Sequence, residues 1–329
     1  MKLRHVSIRI TDACNLKCEG CYVIQDNRYM SINNYKEYIL PNICKLGVKS
    51  IGLTGGEPLL HNDLLSFIVE AKKYGLVTSL VTNGTLLSDI VLDNLIDSDL
   101  DKLQISLNSL DKDDYTKNME VDEFERLVQE IIPGVCDKGI PLTLVAVPGE
   151  KLYVQMEQYV NYAIEKGVSA IYFRRKIGSR NSIIDSAIQN KQFIKRILEM
   201  QNKYGNSIKI MCGDPLFLVM KATQKEISIE RLYSGCSAGV TSLAIGTTGN
   251  IYPCTRTKYV LGNVFKDDLG VVWNENETLL RLQRRDLEGK CSKCDYRLLC
   301  GGCRAEALIN ENNIFAPDSL CSNDVLCVE

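Results

Sequence analysis

The sequence predicts an α/β protein: a parallel sheet curled into a full or partial (β/α) barrel, followed by a small cysteine-rich domain. Three observations lead there. Short alternating apolar runs and longer amphipathic runs succeed one another about six times in the first two thirds of the chain. That rhythm fails near residue 206. Beyond it come short strands, Gly-rich turns and nine of the fourteen cysteines, from Cys212 to Cys327.

Taken in order, Val6-Ser7-Ile8-Arg9-Ile10 places an apolar residue at every second position, the period of a strand. Further strands are expected at Ser50–Leu53, Val77–Thr82, Leu103–Leu107, Leu142–Val147 and Ala170–Phe173. Helical periods lie between them at roughly 33–46, 62–74, 88–97, 121–138 and 153–166, with a polar helix near 189–204. In barrels of this kind the working residues stand at the C-terminal ends of the strands. Later, Ser242–Ile245 and Ile251–Tyr252 flank Gly246-Thr247-Thr248-Gly249-Asn250, which reads as a hairpin. The boundary near 206 divides the chain into domains 1–205 and 206–329. A length of 329 residues with 45% hydrophobic positions suits one large domain and one smaller one.

Composition excludes several roles. With 39 Lys+Arg against 41 Asp+Glu there is no basic excess to neutralise nucleic-acid phosphates or to seek an anionic membrane. No apolar run reaches the roughly 18 residues of a membrane span, and residues 1–10 lack a signal-peptide layout. The expectation is a cytoplasmic protein with neither nucleic-acid nor membrane partners. In a reducing compartment, thiols at short spacings point to metal or cluster binding rather than disulfides.

Directly after the first strand comes Cys14-Asn15-Leu16-Lys17-Cys18-Glu19-Gly20-Cys21. Three thiolates from one loop can converge on one inorganic centre, one ligand short of closing a zinc site or a four-iron cluster. The open position is what chemistry requires. A zinc site with a distant fourth ligand and unrelated buried thiols are the plainer alternatives.

On this spacing, in this place, the sequence resembles the radical S-adenosylmethionine (SAM) superfamily. The resemblance implies a partial (β/α)6 TIM barrel and a [4Fe-4S] cluster on Cys14, Cys18 and Cys21. The unique iron of that cluster binds SAM, whose cleavage yields a 5′-deoxyadenosyl radical that removes a substrate hydrogen. The position before the third cysteine, commonly aromatic in the family, is Gly20 here, with Tyr22 just after the motif; both are candidate SAM contacts.

Thr54-Gly55-Gly56-Glu57-Pro58 follows the second strand. Two glycines allow close backbone approach, and Glu57 offers an acceptor to an ammonium group. Alone, this run is a turn before a helix. After the cysteine motif, Gly55, Gly56, Glu57 and Pro58 resemble the family segment that grips the amino group of SAM. By the same resemblance Thr82 and Asn83 at the third strand end line the SAM pocket, and Ser106 and Asn108 at the fourth contact the ribose; strand-end capping is the alternative. Arg174, after the sixth strand, can hold the SAM carboxylate or an acidic substrate, or belong to a solvated basic rim with Arg180.

The later cysteines are Cys236, Cys254, Cys291-x2-Cys294-x5-Cys300-x2-Cys303 and Cys321. A zinc ribbon explains four of them and leaves Cys236, Cys254 and Cys321 idle. The region resembles the SPASM extension of radical SAM enzymes, which carries one or two auxiliary iron–sulfur clusters. The resemblance gives Cys291, Cys294, Cys300 and Cys321 to the second auxiliary cluster and Cys236, Cys254 and Cys303 to the first. Cys212 or Cys327 completes the first, or an iron stays open to substrate. Cys44 and Cys136, in helical patterns among apolar neighbours, read as structural, as do His5 and His61.

The resemblance thus implies a radical SAM–SPASM oxidoreductase or maturase, supplied with electrons by a flavodoxin or ferredoxin. The Cys-Gly-Gly-Cys-Arg-Ala ending looks like the subgroup of mycofactocin-type peptide maturases and heme-pathway enzymes. The substrate is a ribosomally made peptide or a small molecule such as a tetrapyrrole, sugar or aminocyclitol. With the cluster motif beginning at Cys14, no appended N-terminal domain for gripping a leader peptide is expected, which weakens the peptide reading or implies a separate recognition partner. An iron–sulfur or zinc scaffold without SAM chemistry is the non-enzymatic alternative, and the intact Gly-Gly-Glu-Pro segment argues against it.

Overall fold

The computed structural model describes residues 1–18, 21–115, 119–147, 149–178, 186–224 and 235–321. Ten strands form one sheet: β1 His5–Thr11, β2 Ser50–Gly55, β3 Val77–Thr82, β4 Lys102–Ser106, β5 Leu142–Ala146, β6 Ala170–Phe173, β7 Lys209–Cys212, β8 Ser242–Ile245, β9 Asn250–Tyr252 and β10 Gly262–Asn263. Their order is β10-β9-β8-β1-β2-β3-β4-β5-β6-β7. The run from β8 through β7 is parallel, and β9 and β10 add antiparallel partners at one edge. Among the described strands, β7 and β10 end the sheet without pairing, so the barrel is partial.

The strand pattern explains which side is which. In β1, Val6, Ile8 and Ile10 are fully buried, while His5, Ser7 and Arg9 between them are half-buried. In β4, Leu103 and Ile105 are buried while Lys102 and Gln104 are not. The period of two therefore sends apolar residues outward, under the helices, and polar ones toward the concave face. Helix Leu64–Lys73 answers with Leu64, Phe67, Ile68 and Ala71, the i, i+3, i+4, i+7 stripe. Side-chain caps start the helices cleanly: Ser88 accepts from the Val91 amide, and Ser186 forms a capping box with Gln189.

Two joins cross residue 206. Strand β7, unforeseen in the sequence, pairs with β6. Strand β8 of the hairpin pairs in parallel with β1, His5 opposite Ser242. The cysteine-rich segment thus continues the barrel sheet at its first strand. Among the described residues, no helix is long and apolar enough to cross a membrane.

Candidate active site

The two N-terminal motifs are physically one structure. The Gly56 amide donates to Thr11 O (2.9 Å) and the Glu57 amide to Ala13 O (2.8 Å), stitching the β2 end to the cysteine loop. A Cβ on Gly56 would fall 2.3 Å from Ala13 O and 2.8 Å from Cys14 Cβ; one on Gly55 would fall 2.5 Å from Thr11 O. Both glycines are required by contact between backbones.

Glu57 is wholly buried. Its carboxylate accepts from the Leu59 amide (3.0 Å), the Thr82 hydroxyl (2.7 Å) and the Asn83 amide (2.8 Å). Burial pushes its pKa up, and these three donors oppose the rise. Through these three bonds Glu57 pins the β3 end to the β2 end, a positioning role beyond the ammonium acceptor that the sequence suggested. Pro58 opens the turn Pro58–Leu60 that follows. Asn83 extends the tie, its side-chain amide donating to Asn15 Oδ1 (2.9 Å) in the cysteine loop, while Asn15 donates to Thr85 (2.8 Å).

Cys14 is half-buried and Cys18 and Cys21 are exposed. Burial raises the thiol pKa of Cys14 and Cys18, and each also feels Cys21 electrostatically, which puts the three thiols in one neighbourhood. Tyr22 is 38% exposed beside them; Gly20 lies outside the described residues, as do Arg180 and Cys327. Ser106 closes β4. Asn108 Oδ1 accepts from the Val147 amide (2.9 Å), so this residue joins the β4 and β5 ends. Arg174 stacks its guanidinium over Tyr172 at 5.1 Å, and it is close enough to His5 to add to the lowering of that pKa which burial begins.

The later cysteines separate into two cavities. Cys291, Cys294, Cys300 and Cys321 line one, together with Asp318. Cys212, Cys236, Cys254 and Cys303 line another of about 1190 Å³, which reaches into the barrel and includes Arg174. The Cys-Gly-Gly-Cys sequence makes this division possible. Gly301 (φ +69°) and Gly302 (φ +55°) are both left-handed, a conformation glycine adopts at little cost. They reverse the chain so that Cys300 and Cys303 serve different cavities. Burial pushes Cys254 up to about 11 and raises Cys303, where Arg175 and Arg256 oppose it.

Between these cavities lies a charge network that the sequence did not announce. Arg175, 1% exposed, pairs with Asp214 (3.1 Å) and Asp318 (2.8 Å), both equally buried. Asp318 also accepts from the Cys303 amide (2.8 Å). The triad ties β6, the segment after β7 and the C-terminal cysteines together. No local pattern could have found it, since Asp318 stands 143 residues from Arg175.

Thiols are soft donors suited to iron–sulfur clusters, and two sets of the later cysteines each share a cavity, while among the described residues no three Cys, His, Asp or Glu side chains already stand as a metal-holding group. The structure thus combines a partial (β/α) barrel, a three-cysteine loop after its first strand, and two further cysteine-lined cavities. The Radical SAM superfamily model matches residues 8–156, and the SPASM iron-sulfur cluster-binding domain matches residues 236–295. The chain belongs to the radical SAM superfamily and carries a SPASM domain; its cofactors are SAM, a [4Fe-4S] cluster and auxiliary iron–sulfur clusters. It is 23% identical to an AdoMet-dependent heme synthase of Methanosarcina barkeri, over 97% of this chain and 96% of that one. It is 20% identical to a PqqA peptide cyclase of Bradyrhizobium diazoefficiens, over 96% and 85%. Among solved structures, SuiB of Streptococcus suis bound to precursor peptide SuiA shares the fold: TM-score 0.78, 20% identity, 98% of this chain and 76% of that one.

Proposed function

We propose that the protein modifies a ribosomally made peptide by radical hydrogen abstraction. When bound at Cys14, Cys18 and Cys21, the cluster supplies the electron that cleaves SAM to the hydrogen-abstracting 5′-deoxyadenosyl radical. The chain's own residues position and shelter that event. The Gly55-Gly56 backbone, fixed by Glu57, presents carbonyls to the SAM amino group; Asn83 and Thr82 hold the adjoining strand end, while Ser106 and Asn108 face the ribose. Cys236, Cys254 and Cys303, with Cys212 as fourth ligand, hold the first auxiliary cluster. Cys291, Cys294, Cys300 and Cys321 hold the second.

The observation carrying the peptide reading is the cavity of about 1190 Å³ that reaches into the concave face of the sheet, whose end strands β7 and β10 do not pair with each other among the described residues. The relative named for a peptide cyclase and the fold shared with a precursor-peptide complex support it. A second reading, oxidation of a tetrapyrrole side chain, is favoured by the full-length relative named as a heme synthase. In either reading the protein works in the cytoplasm and takes electrons from a flavodoxin or ferredoxin.

The test incubates reduced, cluster-reconstituted protein and SAM with a library of short deuterium-labelled synthetic peptides, and in parallel with iron coproporphyrin. Loss of hydrogen mass from the peptide, with its deuterium label recovered in 5′-deoxyadenosine, is the expected result. Turnover of the porphyrin alone would overturn the peptide reading.

A further inference from the structure

A cavity of about 240 Å³ lies between the loop after β1 and the β8–β9 hairpin. Tyr22, one residue past Cys21, and Thr255, one residue past Cys254, both line it, so it bridges the radical centre and the first auxiliary set. Its charge is unbalanced: Arg9, Arg28, Arg256 and Lys258 face a single carboxylate, Asp12.

Asp12 is shared. It meets Arg9 at 3.2 Å and Arg28 at 3.6 Å, and it accepts the Thr247 hydroxyl at 2.7 Å, which fastens the hairpin to the loop. Asp26, outside the cavity, takes Arg28 at 2.8 Å. Arg256 donates to the backbone carbonyl of Arg175 (3.0 Å) and lies near the thiols of Cys303 and Cys254 rather than near a carboxylate. Even counting Asp26, the cationic side chains exceed the carboxylates by two around this space. Guanidinium forks match carboxylates in geometry and strengthen as water is excluded. Two exposed apolar side chains, Ile24 (66%) and Tyr22 (38%), also line it.

Size narrows the occupant. Pockets enclosing whole drug-sized ligands span about 300–1,000 Å³; this one holds a side chain and no macrocycle. We propose that the cavity binds an acidic side chain, Glu or Asp, of the peptide substrate and thereby sets which residue meets the radical. This rests on the peptide reading above.

The experiment measures dissociation constants of the reconstituted full-length protein, with and without SAM, for two capped peptides, Gly-Gly-Glu-Gly-Gly and its Gln counterpart. The Glu peptide is expected to bind roughly tenfold tighter, the effect of one charge-assisted hydrogen bond. Replacing both Arg28→Gln and Lys258→Gln should erase the preference, and so should Lys258→Glu alone, which removes the same two units of positive charge. A Lys203→Gln control, on the outer helix Ala187–Tyr204, should keep it. Equal binding of the two peptides, or a preference surviving the double substitution, overturns the proposal. So does a parallel loss of SAM affinity in the double variant, which would give these charges to the SAM carboxylate. Modification of the native peptide with no charge preference sinks this inference alone. Binding of coproporphyrin III with no peptide binding at all sinks the peptide reading beneath it.

Discussion

The two cysteine regions are held by opposite means. Cys18 and Cys21 are exposed and Cys14 is half-buried, and their loop is kept in place by hydrogen bonds at its root: Gly56 to Thr11 and Glu57 to Ala13 through the backbone, Asn83 to Asn15 through side chains. Around Cys300 and Cys303, which are 8% and 5% exposed, the frame is a buried charge network of Arg175, Asp214 and Asp318. The difference follows from what each centre must do. A centre that exchanges SAM and substrate must open to the barrel mouth, so its rigidity comes from the root of the loop. Under the proposed assignment the auxiliary centres are buried, where the core can supply ionic bonds that water weakens little.

Three experiments put that contrast at risk. The largest effect is expected from replacing Cys14, Cys18 and Cys21 together by Ala: 5′-deoxyadenosine formation should vanish while the auxiliary iron, read by iron and sulfide analysis, remains. If cleavage persists, the radical centre lies elsewhere. Next is Arg175→Met, which strands two buried carboxylates. Breaking a buried ion pair costs about 3–5 kcal/mol, so the denaturation midpoint should fall and iron should drop from both auxiliary cavities. Unchanged auxiliary iron would show that the triad does not frame them. The smallest is Gly56→Ala, whose Cβ would meet Ala13 O at 2.3 Å. Overpacking costs about 1–3 kcal/mol, and the effect should be confined to SAM cleavage; a loss of auxiliary iron would mean that the two regions are mechanically coupled.

Much of this was legible because its signals are local. The six expected strands fall on β1 to β6 within two residues at each end, since alternation of the kind seen at Val6–Ile10 is a property of neighbouring positions. The hairpin around Gly246–Asn250 was legible from its turn residues, as were the cysteine spacings. Strand β7 was not: Lys-Ile-Met-Cys is four residues with only a weak alternation, and its partner β6 lies some 40 positions earlier. Glu57 was legible as important, but whether its oxygens face a ligand or the β3 end depends on how two strands pack.

The class of chemistry could be read from the chain alone, because three thiols in one loop and two glycines in one turn need no distant partner to declare themselves. Folding in three dimensions settled which later cysteines share a cavity, that Arg175 meets Asp214 and Asp318, and that Arg9, Arg28, Arg256 and Lys258 converge on one small space. Those contacts join residues far apart along the chain, and burial sets their strength; both exist only once the β8–β1 pairing has closed the C-terminal segment onto the barrel.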